Sequence, residues 1–243
     1  MTQFPEKITA MKEGGALAAQ LREQLLESIY PGMKTIELEE QAANFYDSHN
    51  VVPSFLGYQD YPHRLVICIN DEVVHGMPSE RELQPGDLVT VDLGVLHKGF
   101  HTDTAKTIEV ETDTYRKFLN IGKEALNQAI QKAKVGNRIG DISFAIQSVI
   151  EDSGYNVIRA FVGHQIGRNL HEELQVPCFG EKGTGPLLEE GMTLAIEVMY
   201  VEGSYKLAIL EDGWTAVTRD GKQSAMFEHT VAITASGALI LTD

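Results

Sequence analysis

The chain has 243 residues, 43% of them hydrophobic and 23% charged, with no biased tract; this balance excludes a disordered or fibrous protein and leaves room for one large domain with a substantial core. Its net charge of -15, from 35 acidic against 20 basic residues, repels polyanions, so direct nucleic-acid binding and anionic membrane surfaces are excluded while a cationic substrate or metal ions suit it. The two cysteines, Cys68 and Cys178, lie outside any CxxC pair, which excludes a disulfide framework and a thiolate zinc site. The start, MTQFPEKITAMKEGG, has no basic-then-apolar leader, and no run approaches about 18 apolar residues. The expected location is the cytoplasm.

From the N-terminus, Ile8, Met11, Gly15, Ala18, Leu21, Leu25 and Ile29 recur at spacings of three and four, which predicts a helix with one buried stripe, ended by Pro31-Gly32. A second helix is expected from about Ile36 to Tyr46. Short β-like runs follow: LVICI at 65–69, LVTVDLG at 88–94 and TAKTIEV at 104–110. From about Asp113 the period turns helical through Phe118, Gly122, Ala125 and Ala129, with a further helix near 141–152 and strands after it.

Helix, helix, strands thus occurs twice, and single residues repeat with it. GMKTIELEEQAA from Gly32 resembles GNRIGDISFAIQ from Gly136, an offset of 104, and LQPGDLVTVDLG from Leu83 resembles LEEGMTLAIEVM from Leu188, an offset of 105. Nearly equal offsets predict a duplication, with halves of about 7–112 and 113–243 and extra residues before the last strand of the second. No Pro/Gly/Ser linker separates them. The expectation is a single α+β domain over 1–243, with one curved, mainly antiparallel sheet and the helices on its outer face.

In each half a carboxylate stands six residues after the glycine of the repeated segment, Asp92 after Gly86 and Glu197 after Gly191, and each interrupts an apolar strand. A buried carboxylate is costly unless a cation or hydrogen bonds compensate it, so two in equivalent places suggest a shared cation; strand-end acids facing solvent are the alternative. Asp103, placed at the start of the next strand, and Glu228, in the corresponding place, complete two matched pairs. Four carboxylates would balance two divalent cations, and with His164 they make a hard ligand set suited to Mn, Fe or Co as well as Zn. His75, His164 and His171 flank glycines or prolines on expected turns, whereas His49, His63, His97, His101 and His229 read as structural or surface residues.

NDEVVHGMPS, DLVTVDLGVLHKGFHTDTAKT, VGHQIGRNLHEELQVP, GMTLAIEVM, DGWTAVT and SAMFEHTVAIT occur in this order, and together they resemble the methionine aminopeptidases, which have the pita-bread fold, and among them the short bacterial form, type I. The resemblance implies a hydrolase that removes initiator methionine from nascent chains when the second residue is small. It implies two divalent ions (Co, Mn, Fe or Zn), held by Asp92, Asp103, His164, Glu197 and Glu228. Glu197 would also move the proton, His171 would stabilise the oxyanion, and His75 would sit near the scissile nitrogen. Phe55, Tyr58, Tyr61, Leu170 and Trp214 would wall the methionine pocket. The implied partners are nascent N-termini met at the ribosome, with no direct nucleic acid and no membrane, and the chain is expected to be a monomer. Four positions depart from the family pattern: Gln165 where GHGIG has glycine, prolines replaced by Leu174 and Val198, and a glutamine replaced by Met226. Two other readings share the fold. One is a proline-specific aminopeptidase or dipeptidase, whose members carry an extra N-terminal domain; the other is a catalytically weak binding protein, which would show damaged ligands.

Overall fold

A computed structural model describes residues 4–243. Helices form where apolar residues repeat every three or four positions, and strands where β-branched residues crowd together. In chain order the elements are α1 (Phe4–Ser28), α2 (Thr35–His49), β1 (Val52–Pro53), β2 (Leu65–Ile69), β3 (Glu72–Val74), β4 (Leu88–His97), β5 (Phe100–Glu109), α3 (Arg116–Lys132), α4 (Ile139–Asp152), β6 (Asn156–Val157), β7 (Val162–Gln165), β8 (Gln175–Pro177), β9 (Thr193–Val201), β10 (Leu207–Ile209), β11 (Ala216–Thr218), β12 (Ser224–Thr234) and β13 (Gly237–Ile240). A short 3-10 turn spans Tyr58–Asp60.

Several expected boundaries shift: α2 runs on past Tyr46 to His49, and α3 begins at Arg116 rather than near Asp113. Ile29 falls just outside α1, its N–H turned back to the Leu26 carbonyl. The strand expected at 88–94 runs on to His97, and the one expected at 104 begins at Phe100. The cause is a two-residue turn, Lys98-Gly99, with left-handed φ of 49° and 79° at both residues, which pairs His97 with Phe100. Asp103 therefore lies inside β5 rather than at its start.

Ten strands form one sheet along the path β1-β4-β5-β12-β9-β7-β8, with β2 on β4, β6 on β9 and β13 on β12. Every pairing is antiparallel. Contrary to the expectation of a single sheet, β10, β11 and β3 form a second, three-stranded one. It is built largely from the residues between β9 and β12, where the second half is longer than the first.

Side chains on a strand alternate between faces. In β4, Val89, Val91, Leu93 and Val95 join Leu21, Leu25, Leu38 and Phe45 in a core under α1 and α2. In β9, Ile196, Val198 and Tyr200 join Phe118, Ala125 and Ile142 in a core under α3 and α4. Both helix pairs therefore cover one face, and Asp92 and Glu197 are left on the other.

The halves share local devices as well. Gly32 and Gly136 have φ of 88° and 89°, and Gly86 and Gly191 have φ of 89° and 94°. Glu37 accepts the Lys34 backbone N–H (2.8 Å) at the start of α2, and Asp141 accepts that of Arg138 (2.8 Å) at the start of α4, a carboxylate capping an otherwise unpaired amide in each case. Lys34 bridges to Glu82 and Arg138 to Leu187.

Candidate active site

Five neighbouring strands each present one side chain to the uncovered face. In sheet order β4, β5, β12, β9 and β7 carry Asp92, Asp103, Glu228, Glu197 and His164, and all five are buried. Glu197 and Glu228 lie directly opposite in the β9–β12 ladder, a placement in which like charges repel. His164 Nε2 is 3.5 Å from Glu197 Oε1 and 4.0 Å from Asp103 Oδ2. Asp103, His164 and Glu228 each bring one ligand-type atom within 4.8 Å of the others.

Burial pushes Asp92 up to about 7. Burial first, and the charges of neighbouring carboxylates second, push Asp103, Glu197 and Glu228 well above the usual carboxylate range. The sheet thus assembles four acids that water does not stabilise, the Arg22 guanidinium being the last and smallest influence on one of them, Glu228. Asp92 Oδ1 and Glu228 Oε1 are buried with no hydrogen-bond partner among the described residues, a costly state for a carboxylate. A divalent cation fits: the donors are hard oxygens and one imidazole nitrogen.

That imidazole is prepared for the task. Burial, followed by the neighbouring His171, holds His164 down to about 3 and therefore neutral. Its Nδ1 lies 3.1 Å from the Gln165 carbonyl, so Nδ1 carries the proton and Nε2 is left as the free base facing the acids. Gly163 lets β7 come this close: a Cβ there would stand 2.5 Å from the Ala195 carbonyl oxygen of β9.

A cavity of about 290 Å³ opens above the cluster. All twelve residues singled out from the sequence line it: Phe55, Tyr58, Tyr61, His75, Asp92, Asp103, His164, Leu170, His171, Glu197, Trp214 and Glu228. The acids form its polar floor, and Tyr61, Val66 and Cys68 with Phe55, Met77 and Trp214 form an apolar cluster to one side. His75 sits at φ 60°, an uncommon conformation for a residue with a side chain, and meets Phe161 and Trp214 edge-on at 5.2 and 6.3 Å. His171 packs edge-on against His164 at 4.2 Å between ring centres.

Phe161, Val66, Val74 and Met226 also line the cavity, and sequence reading did not propose them as pocket walls. Phe161 carried one signal, its position three residues before His164. The histidines read as structural have such surroundings: His49 stacks on Phe45, His63 lies 3.9 Å from Glu39, His97 meets Glu13 at 2.9 Å, His101 meets Ser54 at 2.9 Å, and His229 meets Thr242 at 2.9 Å.

The model of metallopeptidase family M24 matches residues 9–235. The chain belongs to metallopeptidase family M24. It is 44% identical to a methionine aminopeptidase of Clostridium perfringens, over 97% of this chain and 96% of that one. The crystal structure of a methionine aminopeptidase from Thermotoga maritima superposes with a TM-score of 0.96 at 42% identity, covering 98% and 97% of the two chains. A prolidase from Pyrococcus furiosus shares the fold, with a TM-score of 0.79 at 23% identity, and this chain covers 64% of it. The chain is therefore a metal-dependent hydrolase with the pita-bread fold. Among the described residues no helix is long and apolar enough to cross a membrane.

Among the four departures from the family pattern, Met226 lines the cavity and Gln165, Leu174 and Val198 do not. Val198 faces the core under α3 and α4. Gln165 and Leu174 are joined by a backbone bond, Gln165 N–H to the Leu174 carbonyl at 2.7 Å, and the support that position 165 gives to His164 comes from its backbone carbonyl rather than its side chain.

Proposed function

We propose that this protein removes the initiator methionine from nascent polypeptides whose second residue is small. The observation that carries the reading is the union, in one cavity, of a buried four-carboxylate, one-imidazole cluster with an apolar aromatic wall. Two divalent ions (Co, Mn, Fe or Zn) are proposed, which Asp92, Asp103, His164, Glu197 and Glu228 would hold between them. When bound, such ions supply Lewis acidity and bring the pKa of water toward neutrality.

Glu197 is proposed to take the proton from the attacking water and deliver it to the leaving amine, the general acid–base work for which a carboxylate lining the cavity is placed. His171 donates from its ring to the developing oxyanion, and His75 hydrogen-bonds near the scissile nitrogen. Phe55, Tyr58, Tyr61, Leu170 and Trp214 hold the methionine side chain by apolar contact, with sulfur–aromatic contacts worth about 0.3–1.5 kcal/mol each. Met226 extends that wall. The substrates are then nascent N-termini met at the ribosome in the cytoplasm, and the working form is a monomer.

The test is a parallel kcat/KM comparison with one metal at saturation. Met-Ala and Met-Gly peptides are expected to be cleaved far faster than Met-Lys, Met-Phe, Lys-Ala or Ala-Pro peptides. Preference for Ala-Pro moves the protein to the proline-specific branch, and no cleavage by fully metallated protein favours a binding role.

A further inference from the structure

The loop before β2 is built to hold one hydroxyl in place. Gly57, Gln59 and Asp60 have left-handed φ of 79°, 50° and 70°, a conformation that is costly for Gln59 and milder for glycine and aspartate. Short backbone bonds lock it: Tyr58 N–H to the Phe55 carbonyl (2.9 Å), Gly57 N–H to the Tyr61 carbonyl (2.8 Å) and Tyr61 N–H to the Tyr58 carbonyl (3.0 Å). The two tyrosines of the loop do different things. The Tyr61 hydroxyl turns back to the Gly76 carbonyl (2.9 Å) and ties the loop to the His75 turn. The Tyr58 hydroxyl turns to His171, 2.8 Å from Nδ1, while the rings meet edge-on at 5.1 Å.

That contact has two possible senses. In one, the phenol donates to an unprotonated Nδ1 and the ring proton sits on Nε2. In the other, Nδ1–H donates to the phenol oxygen and Nε2 presents a lone pair to the cavity. A phenol is a better donor than acceptor, and an unprotonated imidazole nitrogen is a strong acceptor, so the first sense is the more stable pairing. It is also the one in which His171 offers a donor to the cavity it lines.

We propose that Tyr58 is a positioning residue that sets the tautomer of His171, donating to Nδ1 so that Nε2–H is available to the substrate's carbonyl oxygen. The proposal rests on the function given above, in which His171 faces the oxyanion. It adds to Tyr58, beyond its place in the pocket wall, a hydroxyl whose loss changes turnover rather than binding.

Tyr58→Phe keeps the ring and its packing and removes the hydroxyl. The orienting partner behind a metal-bound histidine is typically worth about 10- to 100-fold, and by the same reasoning for His171, kcat on a Met-Ala peptide is expected to fall at least about tenfold with KM within about twofold. In a His171→Ala background the same change should alter kcat by less than about twofold, because the group it orients is gone. An equal fall in both backgrounds, or a rise in KM with kcat unchanged, would overturn the proposal. A second measurement does not need turnover. Ring-nitrogen NMR of zinc-loaded, 15N-labelled protein, with His171 assigned by its loss in His171→Ala, should show Nε2 protonated and Nδ1 as acceptor, and the pattern should change in Tyr58→Phe. Protonated Nδ1 in the parent protein would overturn the proposal, whereas inactivity on every methionyl peptide would count against the proposed function and leave the tautomer result to stand or fall by itself.

Discussion

Removing metal should make this protein lose stability as pH rises past neutrality, because the fold itself brings four carboxylates together. Burial and mutual repulsion push Asp92 up to about 7 and Asp103, Glu197 and Glu228 well above the ordinary range. In the unfolded chain the same groups ionise near about 4. A group whose folded pKa is raised keeps in the folded state a proton that the unfolded state has released, so its stabilisation is full below the unfolded pKa and is lost as pH climbs through the folded one. Other groups titrate nearby: burial pushes His75, His101, His164, His171 and His229 down and the thiols of Cys68 and Cys178 up. Above pH 7 these folded histidines are neutral and the buried thiols protonated with or without metal, so these groups cancel in the difference over that range. Each proton that the metal-free site retains between pH 7 and 8 costs about 1.4 kcal/mol over that unit, whereas bound cations keep the acids ionised in the folded state. The stability gap between manganese-loaded and metal-free protein is therefore expected to widen from pH 7 to 8, by about 1.4 kcal/mol for each proton the metal-free site still holds across that range. The assay is urea unfolding of chelator-treated and manganese-loaded samples at matched pH, with free manganese held fixed. A gap that stays constant or narrows over this range would refute the reasoning.

Glu197→Gln keeps the side-chain shape and removes the charge used to hold a cation and carry the proton; kcat should fall at least about a hundredfold with folding retained, checked by kinetics beside a metal titration. His171→Ala should lower kcat with bound metal unchanged by elemental analysis, and loss of metal would place His171 among the ligands instead. Gly163→Ala sets a methyl 2.5 Å from the Ala195 carbonyl oxygen and should destabilise the fold by about 1–3 kcal/mol, read by urea unfolding, while weakening metal binding in a calorimetric titration because β7 and His164 are forced off β9.

Much of this molecule is legible in the order of its residues. The buried stripes of α1 and α3 follow from apolar spacing alone, because a helix that packs on a sheet must repeat its contacts every 3.6 residues. The acids Asp92 and Glu197 stand out because each interrupts a strand whose neighbours are all apolar, which is visible without any coordinates. The repeated segments and their shared offset name the same two positions again.

Other features are decided by contacts between segments distant in the chain. Asp103 belongs within β5 because Lys98-Gly99 makes a two-residue turn, and a lysine gives little sign of left-handed geometry in the sequence. The opposition of Glu197 and Glu228 depends on the register of β9 against β12, set by residues about thirty apart. The second sheet joins β3, near residue 73, to β11, near residue 217. Tyr58 and His171 illustrate the division most sharply. Both could be singled out as pocket residues from the resemblance, but 113 positions of chain separate them, and composition, spacing and periodicity are blind to which of two tyrosines three residues apart will turn its hydroxyl to a histidine. Periodicity records which face a side chain takes along its own strand or helix; which partner that face meets is settled by the folding of the whole sheet.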